Sequence, residues 1–253
     1  MIDVCKVTAI KYGSYFMEKK FYDFEPGGMI HQPIWGALIQ TAGKNILVDT
    51  GLPYELEWLN KNALPTTIEE DEIFANALDK AAGLSPDQID IVINTHMHYD
   101  HIGNNRLAKN ALFYVSQAEY AAAYAPIKCQ AKLYENTRHL YDSQAVDPFA
   151  WRFINSVTDV APGVRIIPTP GHTNGHLSVL VKTKEGTLCV SGDAVNLLMA
   201  LEKRYINKFH INIEDCYRSY DLILQNADCI LPGHEPSIEK FQTSDFPRIG
   251  QYR

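Results

Sequence analysis

The stretch THMHYDHIGNN, residues 95–105, places three histidines and one aspartate within six consecutive positions, His96 to His101. It overlaps the end of DIVINTH (90–96), whose continuous apolar run favours a strand buried on both faces. A single histidine is most often a satisfied core or surface residue, but that explanation does not account for such crowding at a strand end. Catalytic and binding groups collect in the loops beyond strand ends, so the sequence predicts a functional loop here.

The composition is that of an ordinary globular protein. Of the 253 residues, 46% are hydrophobic and no low-complexity tract divides the chain, so we expect one domain over residues 1–253. The net charge of −7 leaves no basic face for phosphates, which favours a small-molecule partner over nucleic acid. Without an apolar leader or a membrane-length run, we expect a cytoplasmic protein that makes no membrane contact. Five scattered cysteines without a C-x-x-C pair indicate reduced thiols.

The first fifty residues carry the alternation of strands. It covers 3–10, 33–40 and 44–51, with the turn residues Ala42 and Gly43 between the last two, and this predicts an antiparallel start.

Helical signals follow. A helix is predicted over 69–82, because Thr67 and Glu70 fit a capping box and Gly83 fits its end. Ser85, Pro86 and Gln88 then indicate a short helical turn.

Strand and helix signals continue to the end of the chain. Strands are predicted at 112–116, 164–169, 177–183, 187–192 and 229–234. Helices are predicted at 117–123, where Ser116 and Glu119 fit a capping box, and at 213–225. Between these, the aromatic-rich stretch from Tyr120 to Phe153 is predicted to be mostly helical. Aromatic residues at such spacing fit either a core or a pocket wall, and both interpretations stay open.

Seven side chains that can bind a metal lie just past strand signals: His96, His98, Asp100, His101, His172, Asp193 and His234. Imidazole and carboxylate ligands without thiolate favour zinc, with manganese, iron or cobalt as alternatives. His96 and His98 can point the same way from an extended segment, whereas His101 at the following turn must reach elsewhere. The spacing therefore favours two ions, and an acidic residue such as Asp193 is the natural bridge between them.

These residues resemble the metallo-β-lactamase superfamily. The resemblance rests on H-x-H-x-D-H (96–101), a glycine-histidine turn, an aspartate after a strand and a late histidine, and it runs from ILVDTG (46–51) to PGH (232–234). It implies an α/β fold, the αβ/βα sandwich of two mixed β-sheets flanked by helices.

The resemblance also implies roles for the individual residues. Metal one would bind His96, His98 and His172, metal two Asp100, His101 and His234, and Asp193 would bridge them. Asp49 matches an aspartate that supports the ligand loop, although a turn residue at a strand end is an equal explanation. His176 is typical of the family but is not a usual ligand there.

Within the superfamily, PIWGALIQTAGKNILVDTGLP (33–53) and IIPTPGHTNGHLSVLV (166–181) look most like the N-acyl homoserine lactonase branch, which includes pyridoxolactone hydrolase. PGG (26–28) and FHI (209–211) are also similar to the latter. One position departs, because those lactonases carry a tyrosine three residues after the bridging aspartate, where this chain has Asn196.

Asn196 has two explanations. It either donates a hydrogen bond to the substrate carbonyl or caps the turn after Asp193. If it only caps, the donor would be one of three further residues: Tyr99, His31 or His210.

The branch implies a metal-dependent hydrolase of ester bonds that opens a lactone ring and so quenches quorum signals. A hydroxide bridging the two metals would attack the carbonyl carbon, and Asp100 would pass a proton to the leaving alkoxide. A homodimer is left open.

The nearest alternative is a thioesterase of the glyoxalase II type. That family appends a helical C-terminal domain, whereas nineteen residues follow His234 here. A redox flavo-diiron protein would need different ligands, and a non-catalytic module would have lost some of them.

Overall fold

The computed structural model of the chain describes residues 4–21, 27–53, 65–134, 150–240 and 245–253. Their strands form two mixed sheets: β1 (Lys6–Glu18), β2 (Met29–Thr41), β3 (Lys44–Val48), β4 (Thr66–Thr67), β5 (Ile91–Ile93), β6 (Leu112–Ser116), β7 (Trp151–Ile154), β8 (Thr158–Ala161), β9 (Val164–Pro168), β10 (Leu177–Thr183), β11 (Gly186–Gly192) and β12 (Cys229–Pro232). The first sheet has the order β4-β1-β2-β3-β5-β6-β7, and the second has the order β12-β11-β10-β9-β8.

The pairing changes once within each sheet, from antiparallel to parallel. β1, β2 and β3 pair antiparallel, which confirms the predicted antiparallel start, and β5, β6 and β7 then continue parallel to β3. In the second sheet β8 to β11 pair antiparallel, and β12 is parallel to β11.

Helices cover the outer faces of the sheets: α1 (Phe74–Ala82), α2 (Tyr99–Ile102), α3 (Gln117–Tyr124), α4 (Leu198–Glu202) and α5 (Ile213–Asn226). Among the described residues, none of the helices has the length and apolar character needed to cross a membrane.

The predicted start of the first helix is wrong. Thr67 lies in β4, where it pairs with Ser14 of β1, and a 3₁₀ turn over Glu70–Glu72 separates it from the helix, so it does not cap that helix. The capping box instead joins Glu69 and Glu72 around a 3₁₀ turn, and α1 begins after it. The predicted end is confirmed, because Gly83 adopts the left-handed conformation (φ 65°) that ends many helices.

Alternating side chains divide the core into layers. Ile39 and Ile46 face the second sheet, whereas their neighbours Leu38 and Leu47 face the helices on the outer side of the first sheet. On the far side, Cys189 of β11 packs in a cluster with residues of α5. The order helix, sheet, sheet, helix confirms the predicted αβ/βα sandwich.

The aromatic-rich stretch is only partly described. Its last members, Trp151 and Phe153, lie in β7 instead of a helix, and Tyr134 is buried in the core. Residues 135–149, with Tyr141 and Phe149, lie outside the described residues, as does Pro26 of the PGG stretch.

Parallel strand pairs bring the histidine-bearing loops together. β3 and β5 run in the same direction, as do β11 and β12, so each pair ends at one edge of its sheet. β5 is shorter than predicted and ends at Ile93, which leaves residues 94–98 as a loop that reaches across this edge.

Candidate metal centre

The first group of ligand-type atoms belongs to His96, His98 and His172. His96 and His98 follow β5, and His172 follows β9. The Nδ1 atom of His98 lies 3.0 Å from Nε2 of His96 and 3.1 Å from Nε2 of His172. Nitrogens that share one tetrahedral zinc ion stand about 3.3 Å apart, so this spacing suits one ion.

The second group belongs to Asp100, His101 and His234. Asp100 and His101 lie in α2, and His234 follows β12. The Oδ2 atom of Asp100 lies 3.7 Å from Nε2 of both histidines. All three side chains are buried.

Asp193 lies between the two groups, at the start of a 3₁₀ turn directly after β11. Its Oδ1 atom lies 3.0 Å from Nε2 of His234 and 3.4 Å from Nε2 of His101. Its Oδ2 atom lies 3.4 Å from Nε2 of His172. One carboxylate thus presents one oxygen to each group, and the structure brings all seven predicted ligand residues together.

Asp49 supports the ligand loop from behind. Its Oδ2 accepts a hydrogen bond from Nδ1 of His101 at 2.7 Å, and its two oxygens accept the Thr95 amide and hydroxyl at 2.8 and 2.7 Å. Its backbone has φ 60°, which is uncommon outside glycine. Both interpretations of Asp49 therefore hold, since it turns the chain at the end of β3 and also orients His101.

Backbone carbonyls orient two further histidines. Nδ1 of His234 donates to the Pro33 carbonyl at 3.0 Å, and Nδ1 of His172 donates to the Phe209 carbonyl at 2.5 Å. Each bond places the proton on Nδ1 and leaves Nε2 as the atom that faces the centre.

His176 uses both ring nitrogens for structure. Its Nε2 accepts the amide hydrogens of Asp193 and Ala194 at 3.1 and 3.2 Å, and its Nδ1 lies 2.9 Å from the Thr169 hydroxyl. The ring therefore holds the backbone of Asp193 and has no lone pair left for a metal.

Asn196 is buried in the turn after Asp193, and its backbone carbonyl accepts the amide hydrogen of His234 at 3.0 Å. Its side-chain oxygen accepts a hydrogen bond from the amide of Asn207. Nδ1 of His210 donates to the Asn207 carbonyl at 2.6 Å, so this candidate donor lies close to Asn196. Tyr99 and His31 lie in different surroundings, because Tyr99 is buried in α2 and the ring of His31 packs against Phe16 of β1.

Electrostatics separate the two groups. The pKa values of His96 and His98 lie well below 6.5. Burial is the main cause, and repulsion from the neighbouring imidazoles adds to it. Burial also lowers the pKa of His172. Burial alone would lower the pKa of His101 and His234 as well, but the nearby carboxylates outweigh it and raise both.

Asp193 carries the matching charge. Burial opposes its ionisation, but His234 and His101 outweigh burial and hold the pKa of Asp193 well below 3.8. The carboxylate is therefore ionised at neutral pH, as a bridging ligand must be.

A pair of divalent ions fits this set of donors. Nε2 of His101 and Oδ1 of Asp193 are buried, and among the described residues their close contacts with each other and with His234 do not have the geometry of hydrogen bonds. A buried polar atom without a partner is costly, and a metal ion would satisfy both atoms. The His/Asp groups thus provide for a dimetal site.

Two contributors to this centre had no functional interpretation from the sequence. Glu119 was expected only to lie near a helix cap, yet its buried carboxylate reaches the loops of both His96 and His172. The hydroxyl of Tyr15 lies 3.2 Å from Nε2 of His234, although β1 carries no motif. The capping pattern of Ser116 and Glu119 was the only sequence signal for Glu119, and no sequence signal indicated Tyr15.

Known proteins resemble this chain in sequence or in fold. An N-acyl homoserine lactonase of Bacillus cereus is 32% identical over 180 residues, which cover 67% of this chain and 66% of the relative. The match thus spans slightly less than two thirds of that protein. A solved quorum-quenching N-acyl homoserine lactone hydrolase superimposes with TM-score 0.76 at 25% identity over 95% of this chain and 96% of the other.

A further solved structure shares the fold alone. It is a probable metal-dependent hydrolase from Staphylococcus aureus, with TM-score 0.79 and 18% identity over 99% of both chains. The family model described as "Metallo-beta-lactamase superfamily" matches residues 33–234, which include every residue of both ligand groups. This match, together with the sandwich fold and the seven converging ligands, confirms the predicted resemblance: the chain belongs to the metallo-β-lactamase superfamily.

Proposed function

We propose that this protein is a dimetal hydrolase, with zinc as its metal, that opens the ring of a lactone such as an N-acyl homoserine lactone. The observation that carries the proposal is the division of the Asp193 carboxylate, whose oxygens face different ligand groups. Such a centre supplies, when its two ions are bound, an acidified water and a polarised carbonyl at neutral pH.

Asp100 is suited to move a proton. Its carboxylate is buried beside the second group and lies 3.7 Å from Nε2 of both His101 and His234. We assign it the transfer of a proton from the attacking water to the alkoxide oxygen that leaves when the ring opens, first accepting the proton as a base and then donating it as an acid.

Asn196 is suited to hold the substrate carbonyl. Side chains three residues apart in a 3₁₀ turn lie on the same side of the turn. Asn196 therefore lies on the same side of this turn as Asp193. Asn207 determines which end of the Asn196 amide is available: its Oδ1 accepts the Phe209 amide at 2.8 Å, so its nitrogen must donate to the Asn196 oxygen. The NH₂ group of Asn196 then remains as a hydrogen-bond donor.

The choice of a lactone over other esters rests on the relatives. The Bacillus cereus relative is named an N-acyl homoserine lactonase, and the solved relative is described as quorum-quenching. Hydrolysis of the same lactones would make this chain a quorum-quenching enzyme. A thioesterase of the glyoxalase II type would use the same ligand residues on a different bond and is the alternative to exclude.

The experiment compares bond classes on one preparation. Chelator-treated protein is reloaded with zinc, manganese or cobalt, and ring opening of lactones that differ in acyl length is followed by proton release in weak buffer. Thioesters, β-lactams and phosphodiesters are offered in parallel. We expect the highest kcat/KM on a lactone, and with zinc.

Asp193→Asn serves as the control, because it keeps the size of the side chain and removes its charge. Turnover equal to that of the wild type in this variant would show that the activity does not come from this centre. A higher kcat/KM on glutathione thioesters than on every lactone would overturn the proposed substrate class while leaving the dimetal centre in place.

A further inference from the structure

Glu119 is the described carboxylate with the most unusual surroundings. It lies in the first turn of α3, and its side chain is fully buried. Its hydrogen-bond donors are neighbours of the ligand residues and not the ligand side chains themselves. It accepts four hydrogen bonds, two on each oxygen. A carboxylate offers about four acceptor positions, so this one is saturated.

Three of the four donors come from the two loops that carry the first ligand group. Oε1 accepts the backbone amide of Met97 at 3.0 Å, and Met97 lies between the ligand residues His96 and His98. Oε2 accepts the Thr173 hydroxyl at 2.6 Å and the Gly175 amide at 3.2 Å, both in the loop that follows His172. One side chain therefore joins two segments that are more than 70 residues apart.

The fourth donor also lies against this group. The Tyr134 hydroxyl donates to Oε1 of Glu119 at 2.6 Å, and the Tyr134 ring packs edge-on against the ring of His98 with centroids 4.7 Å apart. The hydrogen bond that Tyr134 donates to Glu119 thus restrains the ring of the ligand residue His98, in addition to the backbone of its loop.

Close packing of the second loop on α3 supports the same conclusion. A Cβ atom on Gly175 would lie 2.2 Å from both the Glu119 amide nitrogen and the Ser116 hydroxyl oxygen, which no side chain tolerates. The second glycine of GHTNGH is therefore required for the loop to approach Glu119. Ser116 itself accepts the Glu119 amide at 3.0 Å and caps the helix.

We infer that Glu119 is a positioning residue that clamps the His96–His98 loop to the His172 loop and so sets the spacing of the three ring nitrogens of the first metal group. The inference rests on the proposed metal site but not on the proposed lactone substrate. Groups that orient metal ligands from behind typically account for about 10–100-fold in metal affinity.

The test measures zinc affinity by competition with a chelator, for each of the two equivalents, in Glu119→Gln. The glutamine keeps the shape but replaces one oxygen by an NH₂ group, which cannot accept from either of the donors on that side. We expect one equivalent to bind about 10–100-fold more weakly, with a smaller change in the other. Thr173→Val, which removes a single donor, should show a weaker form of the same change.

Ser116→Ala is the matched control, because it removes the cap of the same helix without touching the Glu119 carboxylate. It should lower Tm and leave both zinc affinities as they are. A loss of zinc affinity in Ser116→Ala that equals the loss in Glu119→Gln at equal Tm would show that Glu119 acts only through helix stability. Wild-type affinity in both Glu119→Gln and Thr173→Val would also overturn the inference.

A second measurement needs no metal and no substrate. In chelator-treated protein, the peptides that contain Met97 and Gly175 should exchange amide hydrogens faster in Glu119→Gln than in the wild type, whereas those of α5 should not change. Unchanged exchange in both loops would overturn the clamp. Since this assay is independent of zinc binding, it separates a failure of the clamp from a failure of the proposed metal site.

Discussion

The two ligand groups of the centre are built differently. The first, His96, His98 and His172, contains only imidazoles, and burial keeps the pKa of each below its ordinary value. The second contains a carboxylate and two histidines, His101 and His234, whose pKa values nearby carboxylates raise despite burial.

The buried carboxylates that hold the two ligand groups in place also differ. Glu119 holds the first group through backbone amides and a loop hydroxyl, so its charge is kept away from the ligand nitrogens. Asp49 holds the second group directly, by accepting a hydrogen bond from Nδ1 of His101. The first group is therefore ready to bind an ion as it stands, whereas the second must release protons before its nitrogens can bind one.

Asp193 presents a carboxylate oxygen to each of the two groups, so its loss should have the largest effect. Asp193→Ala removes an oxygen from each group, and we expect both equivalents of metal to bind more weakly by more than the roughly 100-fold that an orienting residue accounts for. Metal analysis after dialysis at fixed free zinc would measure this.

Single-group variants provide the comparison. His172→Ala should weaken one equivalent and His234→Ala the other, each with less effect on its neighbour. If the alanine variant of Asp193 retained one equivalent at wild-type affinity, the bridge between the groups would be wrong.

The next largest effect is expected from Asn196, which lies where the two groups join. Its carbonyl accepts the amide of His234, and its side chain contacts Asn207, two residues before the carbonyl that holds His172. If it donates to the substrate carbonyl, Asn196→Ala should lower kcat by about 10², as for other single donors of this kind, with both metals retained.

Asn207→Asp tests the orientation of that donor. An aspartate cannot donate to the Asn196 oxygen, so the Asn196 amide loses what fixes its direction, and kcat should fall in the same direction by a smaller factor. A lower Tm with unchanged kcat in Asn196→Ala would assign the residue to capping instead.

The sequence was sufficient for the parts of the site that depend on residue type and strand order. Ligands such as His96 and Asp193 follow apolar runs directly, and a strand end is a local feature that hydrophobic pattern reveals. Local spacing also separates His96 and His98 from His101, because an extended segment directs the first two the same way. The places of His172 and His234 in the two groups came from the family resemblance.

What the sequence could not give depends on contacts between distant segments. Glu119 looked like half of a capping motif, since nothing local tells whether a glutamate in a first turn reaches its own helix or two loops of another layer. Thr67 failed for the related reason that its pairing with Ser14 in the sheet overrides a local capping pattern. The carbonyls of Pro33 and Phe209, which orient two histidines, carry no residue-type signal at all.

Asp49 gives the reciprocal of the Glu119 test. Asp49→Asn keeps the size of the side chain but removes the charge that orients His101, so we expect about 10–100-fold weaker binding of one equivalent. This should be the equivalent that Glu119→Gln changes less, and the double variant should therefore bind both equivalents more weakly. Loss of the same equivalent in both single variants would mean that the two groups do not have separate supports.

The smallest expected effect is the dependence of the free energy of unfolding on pH. This dependence has opposite signs for the histidines of the two ligand groups. His96, His98 and His172 have folded pKa values below the ordinary 6.5, so the unfolded chain takes up protons that the fold excludes, and stability falls as the pH drops below about 6.5. His101 and His234 have folded pKa values above 6.5, so their contribution is complete below that pH and is lost as the pH rises through the raised values. Each histidine contributes at most about 1.4 kcal/mol per pH unit to the free energy of unfolding, or about 3–6 °C in Tm. Metal-free protein should therefore be most stable near pH 6.5. In zinc-loaded protein His101 and His234 are neutral, so the decrease in stability above pH 6.5 should disappear while the decrease below it remains.

Thermal unfolding from pH 5.5 to 8.5, with and without zinc, would measure the stability on both sides of this maximum. A decrease at alkaline pH that persists unchanged in the zinc-loaded protein would contradict the assignment of His101 and His234 as ligands.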